Sequence, residues 1–297
     1  MHNPHPGLPE LEYVKPASLE EASAFLVAHK GEARPFLGGT DTFVRMRDGF
    51  WKEKYLVDIK GLDGTNVITF DPAKGLTIGS AIPMNKVSAH PDVKKNYSLL
   101  AAACDTVASY QLRNRATIVG NICNASPAGD TIGACMAYGG VLTVFGAGGV
   151  RQEPLATFFK GPGKNALQTG DIVTAITFPI PPKPHSGRYM KLGRNKMSDL
   201  SIVGVTVLAY KDAAAKSGYT FKVVLASVAP VPFMAEAAQQ ILAEEPVTEE
   251  SIGKAAEAAM QAVKPIDDVR SSARYRSYMV RNLTRQALSE VWQQVKS

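Results

Sequence analysis

The chain has 297 residues, of which 45% are hydrophobic and 20% charged, and it carries a formal net charge of +6. This composition is typical of a water-soluble globular protein, and the length predicts two domains or three small ones without a disulfide or a structural metal. Three cysteines without a Cys-x-x-Cys pair and five scattered histidines argue against a disulfide framework, a zinc site and a cysteine-ligated iron–sulfur cluster.

Residues 1–60 predict a small α/β unit. The capping box Ser18-Leu-Glu-Glu21 opens a helix over 20–29, because the serine and the glutamate can satisfy each other's backbone N–H groups. A second helix is predicted directly after Gly38-Gly39-Thr40-Asp41. The strands predicted around these helices are 13–14, 34–37 and 55–59.

Residues 61–179 predict a second, larger unit of mixed strands and helices. Its predicted strands are 66–70, 75–79 and 172–179, with a hairpin over 141–151, and its predicted helices are 84–90, 98–107 and 132–138. The unit ends at Pro179-Ile-Pro-Pro-Lys-Pro184, where four prolines in six residues exclude a helix or a central strand. We interpret 180–184 as a stiff connector.

Residues 185–297 predict a C-terminal domain with a short sheet and three helices. The predicted strands are 189–192, 202–210 and 219–228, and the predicted helices are 233–243, 248–263 and 271–295. The chain as a whole is therefore predicted to be α+β, divided into 1–60, 61–179 and 185–297.

Much of the positive charge lies near the end of the chain. In a helix, Arg270, Arg274, Arg281 and Arg285 would share one face, since spacings of four and seven residues return to the same side. No aromatic stacking pattern accompanies these arginines. We interpret them as a solvated face or a docking surface for a partner subunit, and we expect no nucleic-acid binding.

No targeting or membrane-spanning segment is recognisable. The N-terminus has neither a cationic n-region nor an apolar h-region, and no uninterrupted apolar stretch reaches the ~18 residues that a membrane span requires. We expect a cytoplasmic protein without a membrane span.

The first candidate binding motif is Pro35-Phe-Leu-Gly-Gly-Thr-Asp-Thr-Phe43. An apolar strand runs into paired glycines and then into a helix start, where free N–H groups suit a phosphate or pyrophosphate. Taken alone, the motif favours an ordinary strand–turn–helix corner capped by Thr40 or Asp41 over a phosphate site.

The second candidate motif runs from Arg113 to Asp130 and reads as a long unpatterned loop of small and polar residues. Such loops inside compact domains tend to be functional. Hydroxyls, amides and a single carboxylate without a base–nucleophile pair suit the binding of a polar ligand. The residues that offer them are Thr117, Asn121, Asn124, Ser126 and Asp130.

Two other glycine-containing segments do not qualify as nucleotide-binding motifs. Gly146-Ala-Gly-Gly149 lacks the third glycine and the following helix of a dinucleotide fingerprint, so we interpret it as a hairpin turn. Gly163-Lys164 lacks both the leading glycine and the trailing Ser/Thr of a phosphate-binding P-loop.

The sequences FLGGTDTFVRMR and RNRATIVGNICNASPAGD together resemble the FAD-binding (medium) subunit of the molybdenum hydroxylases, a family that includes bacterial xanthine dehydrogenase and carbon monoxide dehydrogenase. The resemblance extends over essentially the whole chain, with later landmarks at 158–164, 171–173, 191–194 and 270–276. It implies a two-part FAD-binding region of the vanillyl-alcohol-oxidase/PCMH type. A C-terminal domain with a three-stranded antiparallel sheet and helices would follow.

The resemblance also implies a set of cofactor-binding residues. Backbone groups would wrap the FAD pyrophosphate at Phe36, Leu37, Gly38, Gly39, Thr40, Asp41, Thr42 and Phe43. The second motif would contribute further cofactor contacts through Thr117, Gly120, Asn121, Asn124 and Ser126, and Asp130 would bind a ribitol or ribose hydroxyl. Val173 would contact the flavin, and Lys191 would approach the isoalloxazine and tune its redox poise.

By the same resemblance, the function is electron transfer. Molybdenum cofactor on a large partner subunit would oxidise the substrate, [2Fe–2S] clusters on a small partner subunit would relay electrons, and non-covalent FAD on this chain would pass them to NAD+ or another acceptor. No histidine or cysteine lies beside Gly38-Gly39, and only Cys123, in the second motif, keeps covalent flavin attachment open. Three isolated cysteines disfavour the branch with an extra cluster in this subunit.

Two other functions remain open at this point. A stand-alone flavin oxidoreductase of the same fold would need an internal acid or base near the flavin, and nothing distinguishes Tyr110, Tyr189 or Arg194 for that role. A non-catalytic scaffold that uses the basic C-terminal helix would bind polyanions with a steep salt dependence and would carry no flavin.

Overall fold

The computed structural model describes residues 7–195 and 198–297. These residues form three main β-sheets with helices packed around them, and a two-stranded ribbon. The predicted α+β class is confirmed. Within the two described ranges, no helix combines the length and the hydropathy that crossing a bilayer needs.

The first sheet is small and parallel. Its strands β1 (Glu12–Val14), β2 (Ala33–Phe36) and β3 (Tyr55–Asp58) lie in the order β1-β3-β2. Helix α1 (Leu19–Ala28) leads from β1 to β2, and helix α2 (Thr42–Arg47) leads from β2 to β3. Each predicted element of this region is confirmed within a few residues.

Helix α1 begins at the predicted capping serine. The backbone N–H of Glu21 donates to Ser18 Oγ at 3.2 Å, as a capping box requires. The Glu21 carboxylate, however, accepts from the N–H of Ala17 at 2.7 Å and not from Ser18. The second hydrogen bond of the capping box therefore comes from the residue before the N-cap instead of from the N-cap itself. Ala22 and Leu26 of the helix are buried against the sheet.

The second sheet is antiparallel and has five strands in the order β4-β5-β10-β6-β7. Its strands are β4 (Ile68–Asp71), β5 (Gly75–Gly79), β6 (Val141–Gly146), β7 (Gly149–Pro154) and β10 (Ile172–Phe178), and β8 (Phe159–Gly161) and β9 (Lys164–Asn165) form the ribbon. The helices are α3 (Met84–Ala89), α4 (Pro91–Asn96), α5 (Ser98–Asp105), α6 (Tyr110–Arg113), α7 (Ile118–Cys123), α8 (Ile132–Ala137) and α9 (Leu155–Phe158). The predicted hairpin forms with its turn between β6 and β7.

The third sheet is antiparallel and lies in the C-terminal part of the chain. Its strands are β11 (His185–Leu192), β12 (Val203–Lys211), β13 (Tyr219–Ala226) and β14 (Phe233–Met234). The three predicted strands are confirmed, and β14 adds two residues where a helix start was predicted. The helices are α10 (Glu236–Glu244), α11 (Glu249–Ala262) and α12 (Ala273–Val295).

The C-terminal sheet and the middle region share one apolar core, which contains Tyr189, Leu208 and Val224 of the sheet beside residues of the second unit. Glycines permit the close approach. A Cβ on Gly133 of α8 would lie 2.2 Å from Thr206 Oγ1, and a Cβ on Gly187 of β11 would lie 2.8 Å from Leu99 Cδ2. Small residues are therefore required on both sides of this contact.

The proline-rich connector is held along its length. Tyr97 Oη donates to the carbonyl oxygen of Pro179 at 3.0 Å, and Lys183 Nζ donates to Asn96 Oδ1 at 2.9 Å. Both partners lie at the junction of α4 and α5. The domain bounds 1–60, 61–179 and 185–297 stay a prediction.

The predicted basic face of the last helix is wrong for one of its four arginines, Arg270. Helix α12 begins at Ala273, so Arg270 precedes it and instead pairs with Asp268. Arg281 and Arg285 lie near carboxylates of α11, with N···O distances of 3.8 and 3.7 Å. The spacing rule failed because it assumed a helix that continues past its serine cap.

Candidate functional site

The two glycine motifs meet in space. Strand β2 ends at Phe36, and the chain then turns through Gly38 and Gly39, the latter at φ +72°. A Cβ on Gly38 would lie 2.1 Å from the carbonyl oxygen of Arg115 and 3.2 Å from Cα of Ala116. The first turn therefore touches the backbone that leads into the second motif, at a distance that only glycine permits.

Helix α2 follows the first turn, but its predicted side-chain cap is absent. Asp41 occupies the N-cap position with helical dihedral angles of φ −93° and ψ −34°, and its carboxylate makes no capping bond. A side-chain cap normally requires an extended N-cap residue. The prediction that Thr40 or Asp41 caps the helix through its side chain is therefore wrong for Asp41, which is exposed.

The second motif is more ordered than the long loop predicted for it, because α7 lies within it. Thr117 caps this helix by accepting from the N–H of Gly120 at 2.9 Å. Its apolar residues, Ile118 and Ile122 among them, are buried. The helix is only six residues long, too short to show a helical period in the sequence.

Polar groups of the second motif also bond to one another. Thr131 Oγ1 donates to Asn121 Oδ1 at 2.8 Å, and the N–H of Ala128 donates to Ser126 Oγ at 3.3 Å. A Cβ on Gly129 would lie 2.5 Å from Ile132 Cδ1. These contacts hold the segment between α7 and α8 in one conformation.

A cleft of about 650 Å³ lies where the two motifs meet. It is within the size range of cofactor pockets, roughly 300–1,000 Å³. The predicted site residues that line it are Leu37, Gly38, Gly39, Thr40, Asp41, Thr42, Thr117, Gly120, Asn121, Asn124, Ser126, Asp130 and Val173. The structure thus brings together residues that are up to 136 positions apart in the sequence (173 − 37).

Three predicted residues do not line the cleft. Phe36 is buried and packs against the rings of Tyr13 and Phe43, with centroid distances of 5.7 and 5.4 Å. Phe43 is 40% exposed, on the outer side of the first turn. Lys191 lines an adjoining cavity of about 510 Å³. The two phenylalanines support the turn from behind.

Asp130 is buried and already has two partners from the C-terminal sheet. Tyr189 Oη donates to its Oδ1 at 2.7 Å, and Lys191 Nζ donates to its Oδ2 at 2.8 Å. Lys191 Nζ also donates to the carbonyl oxygen of Thr106 at 3.2 Å. Burial raises the pKa of the Asp130 carboxyl above its ordinary value, and the Lys191 ammonium and the Tyr189 hydroxyl oppose that rise.

Two arginines and a tryptophan that the sequence analysis did not identify also line the cleft. The Arg34 guanidinium lies 3.6 Å from the ring centroid of Trp51, and that of Arg45 lies 5.3 Å from it. Arg34 also pairs with Glu53. Arg34 and Trp51 lie outside both motifs, and Arg45 lies in FLGGTDTFVRMR without a role assigned to it. Only the folded chain shows that the three residues meet at the cleft.

The segment around Gly163, which does not match the P-loop pattern, supports the second motif and also lines the cleft. The N–H of Gly163 donates to the carbonyl oxygen of Ala125 at 2.9 Å, and Asn165 Nδ2 donates to the carbonyl oxygen of Cys123 at 2.8 Å. Desolvation raises the pKa of the Cys123 thiol to about 12. Because the thiolate is the nucleophilic form, this cysteine is poorly suited to covalent attachment of a flavin.

The fold and the site define a class. A cleft built from two glycine motifs in an α+β protein, with apolar side chains, backbone turns and two arginines around it, has the size and the lining typical of a nucleotide-cofactor site. The chain matches two family models, the FAD binding domain in molybdopterin dehydrogenase over residues 9–181 and the CO dehydrogenase flavoprotein C-terminal domain over residues 188–291. It belongs to the family of FAD-binding subunits of molybdopterin dehydrogenases, and FAD is its cofactor.

Relatives cover nearly the whole chain. A putative xanthine dehydrogenase FAD-binding subunit of Escherichia coli is 29% identical over 94% of each chain. The carbon monoxide dehydrogenase medium chain of Hydrogenophaga pseudoflava is 28% identical over 96% of this chain and 98% of that one. A solved structure of carbon monoxide dehydrogenase from the same organism superimposes with a TM-score of 0.92, covering 97% of this chain and 99% of that chain at 28% identity.

Proposed function

We propose that this chain is the electron-transfer subunit of a multisubunit molybdenum hydroxylase or dehydrogenase. Substrate would be oxidised on a large partner chain that holds molybdenum cofactor, and [2Fe–2S] clusters of a small partner chain would deliver the electrons here. NAD+ or another acceptor would take them away. The observation that carries the proposal is the cleft formed where Gly38 meets the backbone of Arg115.

The residues of the cleft fit FAD. Gly38 and Gly39 line the cleft, and because neither carries a side chain, their backbone groups can face a pyrophosphate directly. Arg45 lines the cleft beside Trp51 and offers a cation for phosphate oxygens. Leu112, Val119 and Val173 supply apolar surface for an aromatic ring system.

FAD, when bound, supplies the redox chemistry, and the protein supplies binding, orientation and electrostatics. We assign binding to the turn from Leu37 to Thr42 and to Thr117, Gly120, Asn121, Asn124 and Ser126. The high pKa of the Cys123 thiol supports non-covalent attachment. Phe36 and Phe43 belong to the support of the turn in this proposal and not to the contact surface.

Lys191 and Asp130 form a pair in this proposal. The lysine approaches the cleft through Asp130, with its ammonium 2.8 Å from the carboxylate. Their side chains are 14% and 9% exposed, so the pair contributes a fixed local field next to the cleft. We infer that Lys191 tunes the flavin, and that Asp130 sets the position of its charge. A hydroxyl of the cofactor would compete with Tyr189 and Lys191 for Asp130.

Partner chains are part of the proposal because the described residues offer no group of three or more metal-ligating side chains. The relatives are named for xanthine and for carbon monoxide at nearly equal identity. Substrate choice therefore belongs to the partner that holds molybdenum. A stand-alone flavin oxidoreductase of the same fold is the alternative. Two of the carboxylates that line the cleft, those of Asp130 and Asp171, are already paired with Lys191 and Arg151, which does not favour it.

The test is purification of the full chain alone and together with the partner chains encoded by neighbouring genes. We expect the isolated chain to show the visible absorbance of bound flavin, and the flavin released by denaturation to be FAD. We expect no oxidation of a hydroxylase substrate until a large molybdenum chain and a small iron–sulfur chain are added. Turnover by the isolated chain would refute the proposal in favour of the alternative, and a colourless chain would refute both.

A further inference from the structure

An ion cluster with one buried member, Arg276, lies in the C-terminal part of the chain, outside the cleft. Asp268 Oδ2 accepts from Arg270 Nη2 at 2.7 Å, and its Oδ1 lies 2.6 Å from Arg276 Nη2. Arg276 is only 1% exposed, although it belongs to a helix that is otherwise rich in solvated arginines. Lys, Arg and Glu are almost never fully buried unless they are paired, so this arginine has a specific role.

The cluster binds the backbone on one side of the cleft. Arg270 Nη1 donates to the carbonyl oxygen of Ser201 at 3.3 Å, and Arg276 Nη1 donates to that of Ile202 at 3.0 Å. The N–H of Ile202 in turn donates to the carbonyl oxygen of Leu192 at 2.7 Å, which joins this segment to the end of β11. Residues Ser198, Asp199 and Leu200, directly before the held carbonyls, line the cleft.

The same cluster reaches the second glycine motif. Arg276 Nη1 also donates to the carbonyl oxygen of Ser227 at 3.1 Å. The N–H of Ser227 donates to the carbonyl oxygen of Pro127 at 2.8 Å. The two neighbours of Pro127 in the chain, Ser126 and Ala128, both line the cleft. One guanidinium thus connects two separate parts of the cleft wall through a single chain of hydrogen bonds.

Backbone strain occurs at the same places. Among the described residues, four that are not glycine have positive φ: Ala108 at +42°, Ala125 at +48°, Ser198 at +58° and Ser227 at +66°. Ala108 and Ser198 line the cleft, Ala125 belongs to the second motif, and Ser227 carries the bond to Pro127. Such conformations persist only where the surrounding contacts impose them, and they cluster at functional sites.

We propose that Asp268, Arg270 and Arg276 are positioning residues for the FAD cleft: the cluster fixes the wall at 198–202 and, through Ser227, the Pro127 segment. None of the three lines the cleft. The inference rests on the proposed role of the cleft as the FAD site. It predicts that losing the cluster weakens FAD binding without removing any residue that contacts the cofactor.

The experiment measures FAD affinity of the full chain by titrating the apoprotein and following flavin fluorescence. The variants are Arg270→Gln and Arg276→Gln, with Arg270→Lys as the conservative change. We expect the dissociation constant to rise about tenfold in each glutamine variant, as expected from losing a hydrogen bond to a charged group, with partial recovery in the lysine variant. Arg274→Gln, an exposed change at the start of the same helix, should leave the constant unaltered.

General destabilisation is separated from positioning by Val280→Ala. This residue of α12 is buried one turn after Arg276 and does not line the cleft, so its truncation loosens the packing around the cluster without removing a hydrogen bond of it. It should lower the melting temperature and leave FAD affinity unchanged. A second readout is the rate at which trypsin cuts after Arg194, followed by mass spectrometry in the apoprotein. We expect faster cutting there in the cluster variants only, since the held segment opens locally.

The inference is overturned if the cluster variants show the same FAD affinity and the same rate of trypsin cutting after Arg194 as Arg274→Gln. If Arg276→Gln does not fold, Arg270→Gln alone decides, because Arg270 is partly solvated, with 23% of its side chain exposed. If the wild-type chain takes up no FAD, the proposed function fails, while the cutting rate after Arg194 still supports or overturns the positioning claim.

Discussion

The two glycine motifs build their parts of the cleft in different ways. The first, from Leu37 to Thr42, is shaped by backbone: Gly38 touches the carbonyl of Arg115, and Asp41 makes no capping bond. The second is shaped by side chains, with Thr117 capping α7 and Asp130 held by Tyr189 and Lys191. The first part should therefore tolerate no added atom, whereas the second should respond to the loss of individual polar groups.

The largest effect is expected from Gly38→Ala, which tests the backbone-shaped part. The new Cβ would lie 2.1 Å from a backbone oxygen, so the turn must move away from the second motif. We expect a loss of more than ~3 kcal/mol in unfolding free energy, at the upper end for overpacking, together with loss of FAD binding. Urea unfolding and flavin fluorescence measure the two. The matched control is Gly61→Ala, where a Cβ meets no atom within 4 Å.

The next effect belongs to the side-chain-shaped part. Lys191→Met would leave the buried Asp130 carboxylate without its cation, and we expect a loss of about 3 kcal/mol in unfolding free energy. The double variant Asp130→Asn/Lys191→Met should recover much of this loss, since no buried charge remains. If the double variant were as unstable as the two single changes added together, the pair would not be coupled.

A smaller effect is expected from Thr117→Val, which keeps the shape of the side chain and removes the capping oxygen. The N–H of Gly120 would lose its acceptor, at a cost of about 1 kcal/mol in unfolding free energy. Thr248→Val is the control, because that hydroxyl likewise caps a helix, accepting from the N–H of Ser251 at 3.2 Å, without lining the cleft. Only Thr117→Val should weaken FAD binding, and equal effects on binding would contradict a role for the cap in the cleft.

The smallest effect concerns pH and Asp171, a carboxylate on the cleft wall. Burial raises its pKa, but hydrogen bonds from Arg151 and the N–H of Gln168 outweigh this, so its pKa lies below the ordinary value. Its stabilising contribution is therefore complete above the ordinary pKa of about 3.9 and falls as the pH drops through the lower folded-state value. The difference in unfolding free energy between wild type and Asp171→Asn should be constant from about pH 7 to about pH 5 and shrink below about pH 4. A wild-type advantage that grew as the pH fell from 7 to 5 would reverse the sign of the shift.

The sequence predicted the parts of the site that depend on residue type alone. Paired glycines after a strand indicate a close approach of the backbone, and Gly38 and Gly39 are where that approach occurs. Partners far apart in sequence were not predictable: nothing beside Asp130 indicates that Tyr189 and Lys191 reach it from another sheet. Most of the longer helices and strands were predictable because their pattern of apolar and polar residues extends over enough positions to show a clear period.

The remaining errors have local physical causes. Helix α7 was predicted as loop because six residues carry too little periodicity. The position of Arg270 was wrong because the serine cap of α12 follows it. Burial of Arg276 was missed because an arginine in a helix rich in cations normally faces solvent, and only the carbonyls of Ile202 and Ser227 draw it inward.

The glycines at Gly133 and Gly187 have a consequence for engineering. They allow the segments 9–181 and 188–291, which match separate family models, to pack closely in one shared apolar core. Each segment would therefore expose apolar surface if it were separated from the other. Chimeras that exchange the segment from residue 185 onward between relatives should fail unless each contact is kept as a matched pair, Gly133 with Thr206 and Gly187 with Leu99. The two segments therefore pack as one unit rather than as two portable modules.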